Sequence, residues 1–372
     1  MKFITTTGEL QRVLAKVSSV VPSKSTMPIL ENLLFDQLNN TLTITATDLE
    51  ISQTVLIEVK GSEDGKIAVP SKRLLDTIRS FGSGDDAVFS IDITTNKISI
   101  KVGKGEFNLT GENAKEFPTA PPFQGKDEIS LEAAVLKRII NRTEFAVSTD
   151  ELRPAMMGVL LQPKEKELCA VSTDGHRLVR FMYKLSKVSG LKRDIIIPAK
   201  ALRIVNKSIE GGTVKMSMSD THVKFDFDTT VLVSRLIDET YPNYESVIPS
   251  ENDKLMTVNR EQMATAIRRV ALYASATTHQ VKLAITKNAL IMSAQDIDFG
   301  GEAKESIDAE YNSDDLDIGF NSTYLVDILS HLESEQVTFR FSTPTRAGIV
   351  SPSGEKTDED VLMLVMPVRL NS

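Results

Sequence analysis

Apolar residues recur along this chain with two periods. Leu10, Val13, Leu14 and Val17 fall at i, i+3, i+4 and i+7, which is one face of a helix. Leu136, Ile139 and Ile140 form a second such face, and Met263, Ile267, Val270 and Ala271 a third. Period-two alternation follows each helix. Leu42, Ile44 and Ala46 point one way with threonines between them, and Asn39-Asn40 is a turn signal ahead of that strand. A second helix comes next in every case: Leu74, Leu75, Ile78 and Phe81; then Leu202, Val205 and Ile209; then Leu325, Ile328, Leu329 and Leu332. Further strands close the unit, such as 88–93 and 97–102 around the turn Thr95-Asn96. The pattern predicts an α+β chain in which helix, strands, helix, strands occurs three times.

Three sets of landmarks support the triplication. Ala46-Thr47-Asp48-Leu49, Ser172-Thr173-Asp174-Gly175 and Ala294-Gln295-Asp296-Ile297 place aspartates 126 and 122 residues apart. Ile67 to Lys72, Ile195 to Lys200 and Leu316 to Asn321 form the second set. Pro118, Pro242 and Pro367 form the third, at spacings of 124 and 125. Order and spacing preserved together indicate real repeats of about 125 residues. A length of 372 residues also exceeds one ordinary domain of roughly 150. Polar linkers at 123–127 and 249–253 divide the chain into domains 1–125, 126–250 and 251–372. Each copy reads as a doubled half-unit, giving six helix–sheet units per chain.

Composition adds limits. Hydrophobic residues make up 41% and charged residues 25%, as in soluble globular proteins. The lone cysteine, Cys169, lies in the apolar run 168–171, reads as a small buried hydrophobe, and suits a reducing compartment. The start, Met1-Lys2-Phe3-Ile4 followed by three threonines, has no apolar signal region, and the longest apolar run, 361–366, is far below the roughly 18 residues of a membrane span. A cytoplasmic location is expected.

Charge changes the picture once it is located. The net charge of −8 argues against a nucleic-acid partner. Yet the six predicted helices (8–19, 71–81, 131–145, 199–209, 260–274 and 322–332) carry +1, +2, +1, +3, +2 and −1, a total of +8, leaving −16 elsewhere. Lys200, Arg203 and Lys207 lie on one face, opposite the leucines. Solvated helix faces would explain any one of these. Five of six repeated helices point to a shared surface that faces a polyanion without reading its sequence.

Catalytic chemistry finds little support. His176, His222, His279 and His331 have no neighbours at metal-ligand spacing, and Gly82-Ser83-Gly84 and Gly103-Lys104-Gly105 are turns, not phosphate loops. Ser172-Thr173-Asp174-Gly175-His176-Arg177 contains a hydroxyl, a carboxylate and an imidazole, so a hydrolase using Asp174 and His176 is one alternative. Adjacent residues on a turn rarely assemble that way, and Asp48 and Asp296 lack the histidine. A binding pocket or a side-chain-stabilised turn fits better. The ending, 361–370, is apolar almost to the last residue, as a last buried strand whose methionines help line a groove for varied ligands.

Several segments together resemble the bacterial DNA polymerase III beta subunit family, the replicative sliding clamps, over the whole chain. They are Met27 to Leu34, Ala46 to Leu49, Ser172 to Leu178, Arg235 to Asp238 with Tyr241 to Tyr244, and the ending Val365 to Leu370. The resemblance implies a head-to-tail homodimer closing a ring around duplex DNA, with copy one joined to copy three through Phe107, Leu272 and Tyr273. It implies a peptide pocket for the polymerase III alpha subunit, the clamp loader and other clamp-motif proteins, at Arg153, Met156, Thr173, Gly175, His176, Arg177, Leu178, Pro242, Val247, Asn321, Tyr324, Val365, Met366, Pro367 and Arg369. Candidate DNA contacts, from the helix charges and the family together, are Lys24, Lys72, Arg73, Arg79, Lys137, Arg142, Lys200, Arg203 and Arg268. Ala155 replaces an expected aromatic and Ser246 an expected basic residue. No cofactor, metal or membrane is implied. A repeat scaffold unrelated to DNA is the remaining alternative.

Overall fold

The computed structural model describes all residues except 119–122, 126, 186–189, 298, 355–357 and 371–372. Six helices carry the 3.6-residue periodicity: α1 (Thr7–Val17), α2 (Ser71–Arg79), α3 (Ala133–Thr143), α4 (Ala199–Ser208), α5 (Arg260–Ala271) and α6 (Ser322–Ser330). Their starts follow from local chemistry. The side chains of Thr6, Asn259 and Asn321 accept backbone N–H bonds from the first turns of α1, α5 and α6. Pro70 precedes α2 and Pro198 precedes α4, where a strand ends and a helix begins. The second landmark set is therefore a strand-to-helix corner made three times.

Most helices are shorter than the sequence pattern predicts. Leu131 and Glu132 belong to the strand Asp127–Glu132, paired with Val214 and Thr213, and Glu144–Ala146 is a separate 3-10 turn. Both flanking glutamates thus leave α3, whose charged residues are Lys137, Arg138 and Arg142. Helix α5 stops at Ala271 because Tyr273 and Ala274 bond to carbonyls three residues back, a tightened last turn.

The chain groups into two compact units. The first comprises Met1–Lys137, Ser189–Leu191 and Lys200–Leu236. It holds a five-stranded and an eight-stranded antiparallel sheet. The five-stranded sheet ends on Gly105–Thr110, which among the described strands is bonded to Lys97–Val102 alone. In the eight-stranded sheet, Thr230–Arg235, the last strand of copy two, pairs with Ile51–Glu58, the strand after the Asp48 turn of copy one. Phe3 stacks on Phe89 at 4.6 Å between centroids, with Phe35 beside them, in the core of copy one.

The second unit comprises Arg138–Val188, Lys192–Ala199 and Ile237–Ser372 and is built on one twelve-stranded sheet. The same junction recurs there. Arg177–Lys184, which follows the Asp174 turn, pairs with Glu359–Val365, the last strand of copy three. The apolar C-terminal run is thus a central strand, as its pattern requires. Met363 is fully buried in it, and Met366, just past its end, is 40% exposed.

Candidate functional site

Everything expected of the pocket lies in the second unit, so its geometry is defined within one body. A tight turn forms its centre. Asp174 Oδ1 accepts the backbone N–H groups of His176 at 2.9 Å and Arg177 at 3.0 Å. Thr173 Oγ1 donates to the Arg177 carbonyl at 2.6 Å and accepts from the Gly175 amide at 3.1 Å. Gly175 adopts φ +89°, which glycine enters without steric cost. A Cβ there would sit 3.1 Å from Arg153 Nη1 and 3.7 Å from Met156, so glycine also keeps the space beside them open.

The C-terminal segment is fastened to this turn. Met366 N–H donates to the His176 carbonyl at 2.8 Å, and Val368 N–H donates to the Gly319 carbonyl at 2.9 Å. Residues Val365, Met366 and Pro367 therefore run from the turn towards the start of α6, where Asn321 and Tyr324 stand. Leu178 is buried, paired with Leu364, in a core cluster with Val171, Cys169 and Tyr244. Ala155 and Tyr241 pack against the same cluster. Thr173 and Met156 are buried, and Val365 completely so. Exposed around them are Arg153, His176, Pro242, Val247, Met366 and Arg369. The result is an apolar floor under a polar and aliphatic edge. Ala155 offers a methyl where a ring was expected, and Ser246 spends its hydroxyl on the Asn243 carbonyl at 2.7 Å.

Arg177 differs from its neighbours. Nε donates to Asp174 Oδ2 at 3.1 Å, Nη1 to Asp327 Oδ2 at 2.5 Å and Nη2 to the Phe145 carbonyl at 2.9 Å. Its guanidinium carbon lies 4.9 Å from the Tyr324 ring centre and 5.3 Å from that of Phe145. Phe145 in turn stacks on His331 at 3.8 Å, and Tyr324 on His176 at 5.7 Å. Burial raises the Tyr324 hydroxyl pKa above its ordinary value, with Asp174 adding to the effect. Phe145, Asp327 and His331 were not among the pocket residues expected from the sequence. The available signal was the spacing of Tyr324, Asp327 and His331 at i, i+3 and i+7.

This geometry removes the hydrolase alternative. Asp174 bonds the backbone of His176, not its imidazole, and spends its other oxygen on Arg177. The His176 ring lies parallel to Tyr324. No base–nucleophile pair results. Among the described residues no group of three or more potential metal ligands converges.

The candidate DNA contacts separate into two kinds. Lys24, Lys72, Arg73, Arg79, Arg203 and Arg268 are exposed, and Lys137 is half-buried. Lys200 is exposed but ion-paired with Asp48, and Arg268 Nη2 donates to Ser330 Oγ at 3.1 Å. Arg142 stands apart. Its side chain is only 7% exposed and bonds Glu333 at 3.0 Å, and burial pulls its pKa down against the opposing pull of that carboxylate.

Comparison with known proteins gives one answer over the whole chain. Residues 1–121, 130–243 and 245–369 match the N-terminal, central and C-terminal domains of the DNA polymerase III beta subunit. The chain is 30% identical over 375 residues to the beta sliding clamp of Chlamydia muridarum, and 30% over 373 residues to that of Pseudomonas aeruginosa, in both cases over the full length of each protein. Its structure superposes on a DnaN sliding clamp from Bartonella birtlesii bound to griselimycin with a TM-score of 0.94 and 33% identity, covering both chains completely. A Pseudomonas aeruginosa clamp solved with a ligand gives 0.92 at 29% identity, again over both whole chains. Its three repeats, its Asp174 turn fastened to the C-terminal strand and these full-length matches place the chain in the DNA polymerase III beta subunit family, the beta sliding clamps.

Proposed function

We propose that this chain closes head-to-tail with a second copy into a ring around duplex DNA and tethers partner proteins through its groove, performing no chemistry of its own. One observation carries ring closure. Within each unit, the last strand of a following copy pairs with the strand after the aspartate turn of the preceding one. One junction of that kind is left unmade. In Gly301–Tyr311, which follows the Asp296 turn, residues 302–308 bond Ala289–Asp296 on one side and no described strand on the other. The last strand of copy one, Gly105–Thr110, likewise has a neighbour on one side only among the described strands.

Open edges invite pairing, and these two are the complementary halves of a contact the chain makes twice already. Two copies joined this way satisfy both edges, and a heterologous contact that closes leaves no surplus. Phe107 lies on the first edge. Leu272 is 81% exposed and Tyr273 48%, and the Tyr273 ring would lie 3.3 Å from a Cβ at Gly301, at the start of the second edge. The basic helix faces supply mobile, sequence-independent attraction to phosphate. Domains 1–125, 126–250 and 251–372 are the repeating units of this ring.

The test is topological. The protein is loaded onto closed circular DNA, retention is measured, and the circle is then cut. Loss on linearisation supports the ring, whereas equal retention on free-ended DNA rejects it.

A further inference from the structure

We infer that Asp327 is a positioning residue for the groove: through Arg177, with Phe145 and His331 behind it, it fixes the ring of Tyr324 that lines the ligand site. This rests on the reading of the groove as a docking site. Five planar groups lie in one series: His176, Tyr324, the Arg177 guanidinium, Phe145 and His331, with successive spacings of 5.7, 4.9, 5.3 and 3.8 Å. Copy three supplies Tyr324, Asp327 and His331 from one face of α6 and its cap. Copy two supplies Phe145, His176 and Arg177.

Arg177 is the keystone of the series but has little left to offer a ligand. Its side chain is 10% exposed, and Nε and both terminal nitrogens each meet a carboxylate or a carbonyl. A planar guanidinium held by three acceptors between two rings has one orientation. Asp327 sets that orientation from α6, while Asp174 ties the same guanidinium to the turn carrying Gly175 and His176. His331 anchors the far end, since its Nδ1 lies 2.7 Å from the Asp327 carbonyl.

The inference also accounts for the one helix that breaks the positive pattern. Asp327 is the sole charged residue of α6. It faces Arg177, so this helix spends its charge on the groove. In the first unit the polarity is reversed, with a helix lysine, Lys200, meeting the turn carboxylate of Asp48.

Griselimycin is the probe, titrated calorimetrically into wild type, Asp327→Ala, Asp327→Glu, Tyr324→Ala and the Asp327→Ala/Tyr324→Ala double variant. Asp327→Ala is expected to weaken binding about tenfold, and Asp327→Glu to recover most of it. In the Tyr324→Ala background the same substitution should change affinity less than about twofold, because its route to the ligand is already gone. A general loss of stability would not vanish in that background. If Asp327→Ala does not fold, Asp327→Asn takes its place throughout. Unchanged affinity in the single variant, or an undiminished loss in the double, overturns the inference. Failure of wild type to bind at all removes the groove reading together with it, whereas binding that ignores Asp327 removes the inference alone.

Discussion

Asp48 and Asp174 hold the same turn in successive copies. Asp48 Oδ1 accepts from the Glu50 and Ile51 amides at 3.0 and 2.7 Å, as Asp174 Oδ1 does from His176 and Arg177. Thr47 Oγ1 donates to the Ile51 carbonyl at 3.0 Å, as Thr173 Oγ1 does to that of Arg177. At the left-handed position of the turn, Leu49 at φ +78° stands in place of Gly175 at φ +89°. A leucine in that region carries backbone strain of roughly 1–2 kcal/mol, and its exposed side chain returns little burial.

Exchange at this position therefore has opposite effects in the two copies. Leu49→Gly is expected to stabilise the chain by about 0.5–1 kcal/mol, allowing for glycine's greater unfolded-state entropy. Gly175→Leu should cost about 1–2 kcal/mol and also narrow the space beside Arg153 and Met156, which its Cβ approaches. Denaturant melts of both variants check this. Stabilisation by Gly175→Leu would contradict the strain argument.

The closing contact gives a second expectation. Leu272→Asp puts a carboxylate on an exposed apolar side chain, so a folded single chain gains little reason to change, whereas a buried ring contact loses apolar area and buries a charge. Sedimentation at micromolar concentration should show the mass falling from two chains towards one, with an unaltered far-ultraviolet spectrum. A variant that remains fully dimeric places Leu272 outside the contact.

Much of this was legible in the sequence. Period-two and period-3.6 patterns are direct consequences of which face each element buries, so helices and strands could be located. Repeats made the copies visible because Pro70, Pro198 and Asn321 occupy one corner three times. The groove's centre showed as a departure from the repeat at 174–178. Its supporting residues did not, because Phe145 and Arg177 meet only through the fold and no local period links them. Charge counting could mark Asp327 as an exception without showing that it faces Arg177. Likewise Arg142 reads as a surface cation on its helix, and its burial against Glu333 is a tertiary fact.

An ion pair in the first unit predicts a pH effect. Lys16 Nζ lies 2.7 Å from Glu210 Oε1, and this hydrogen bond is the main reason the Glu210 carboxyl titrates below its ordinary value. Because the folded value lies below the unfolded one, the pair stabilises at pH above the unfolded carboxylate range. That contribution fades as pH falls through the folded value. Glu210 is 55% exposed, so the effect should stay under about 1 kcal/mol. Glu210→Gln should therefore be slightly less stable than wild type at pH 7, with the gap closing as pH falls through the folded carboxyl's value. A gap that widens on acidification would reverse the sign.

Cys169 should be inert in the folded protein. It is fully buried, burial raises its thiol pKa, and its sulfur lies 4.0 Å from the Tyr244 hydroxyl. Thiolate is the reactive form, and access to it needs unfolding here. A thiol reagent at pH 8 is expected to label this cysteine only as denaturant unfolds the second unit. Stoichiometric labelling of the native chain would show an opening that the packing does not provide.

The basic helix faces make a quantitative claim separable from ring closure. Lys72 and Arg79 are exposed on α2, and among the described residues Lys72→Glu/Arg79→Glu breaks no ion pair as it changes the charge. Lys200 is a poorer choice, since reversing it would set two carboxylates together at Asp48. Contact with phosphate releases counterions, so the slope of log affinity against log salt should fall by about 0.9 for each contact removed. The proper substrate is a short linear duplex, on which sliding off is free and only electrostatic affinity is read. On a closed circle the same variant should still be retained, because topology and not affinity holds it there. An unchanged salt slope on the linear duplex would mean that α2 does not face the phosphates, and the positive faces would then be solvated surface.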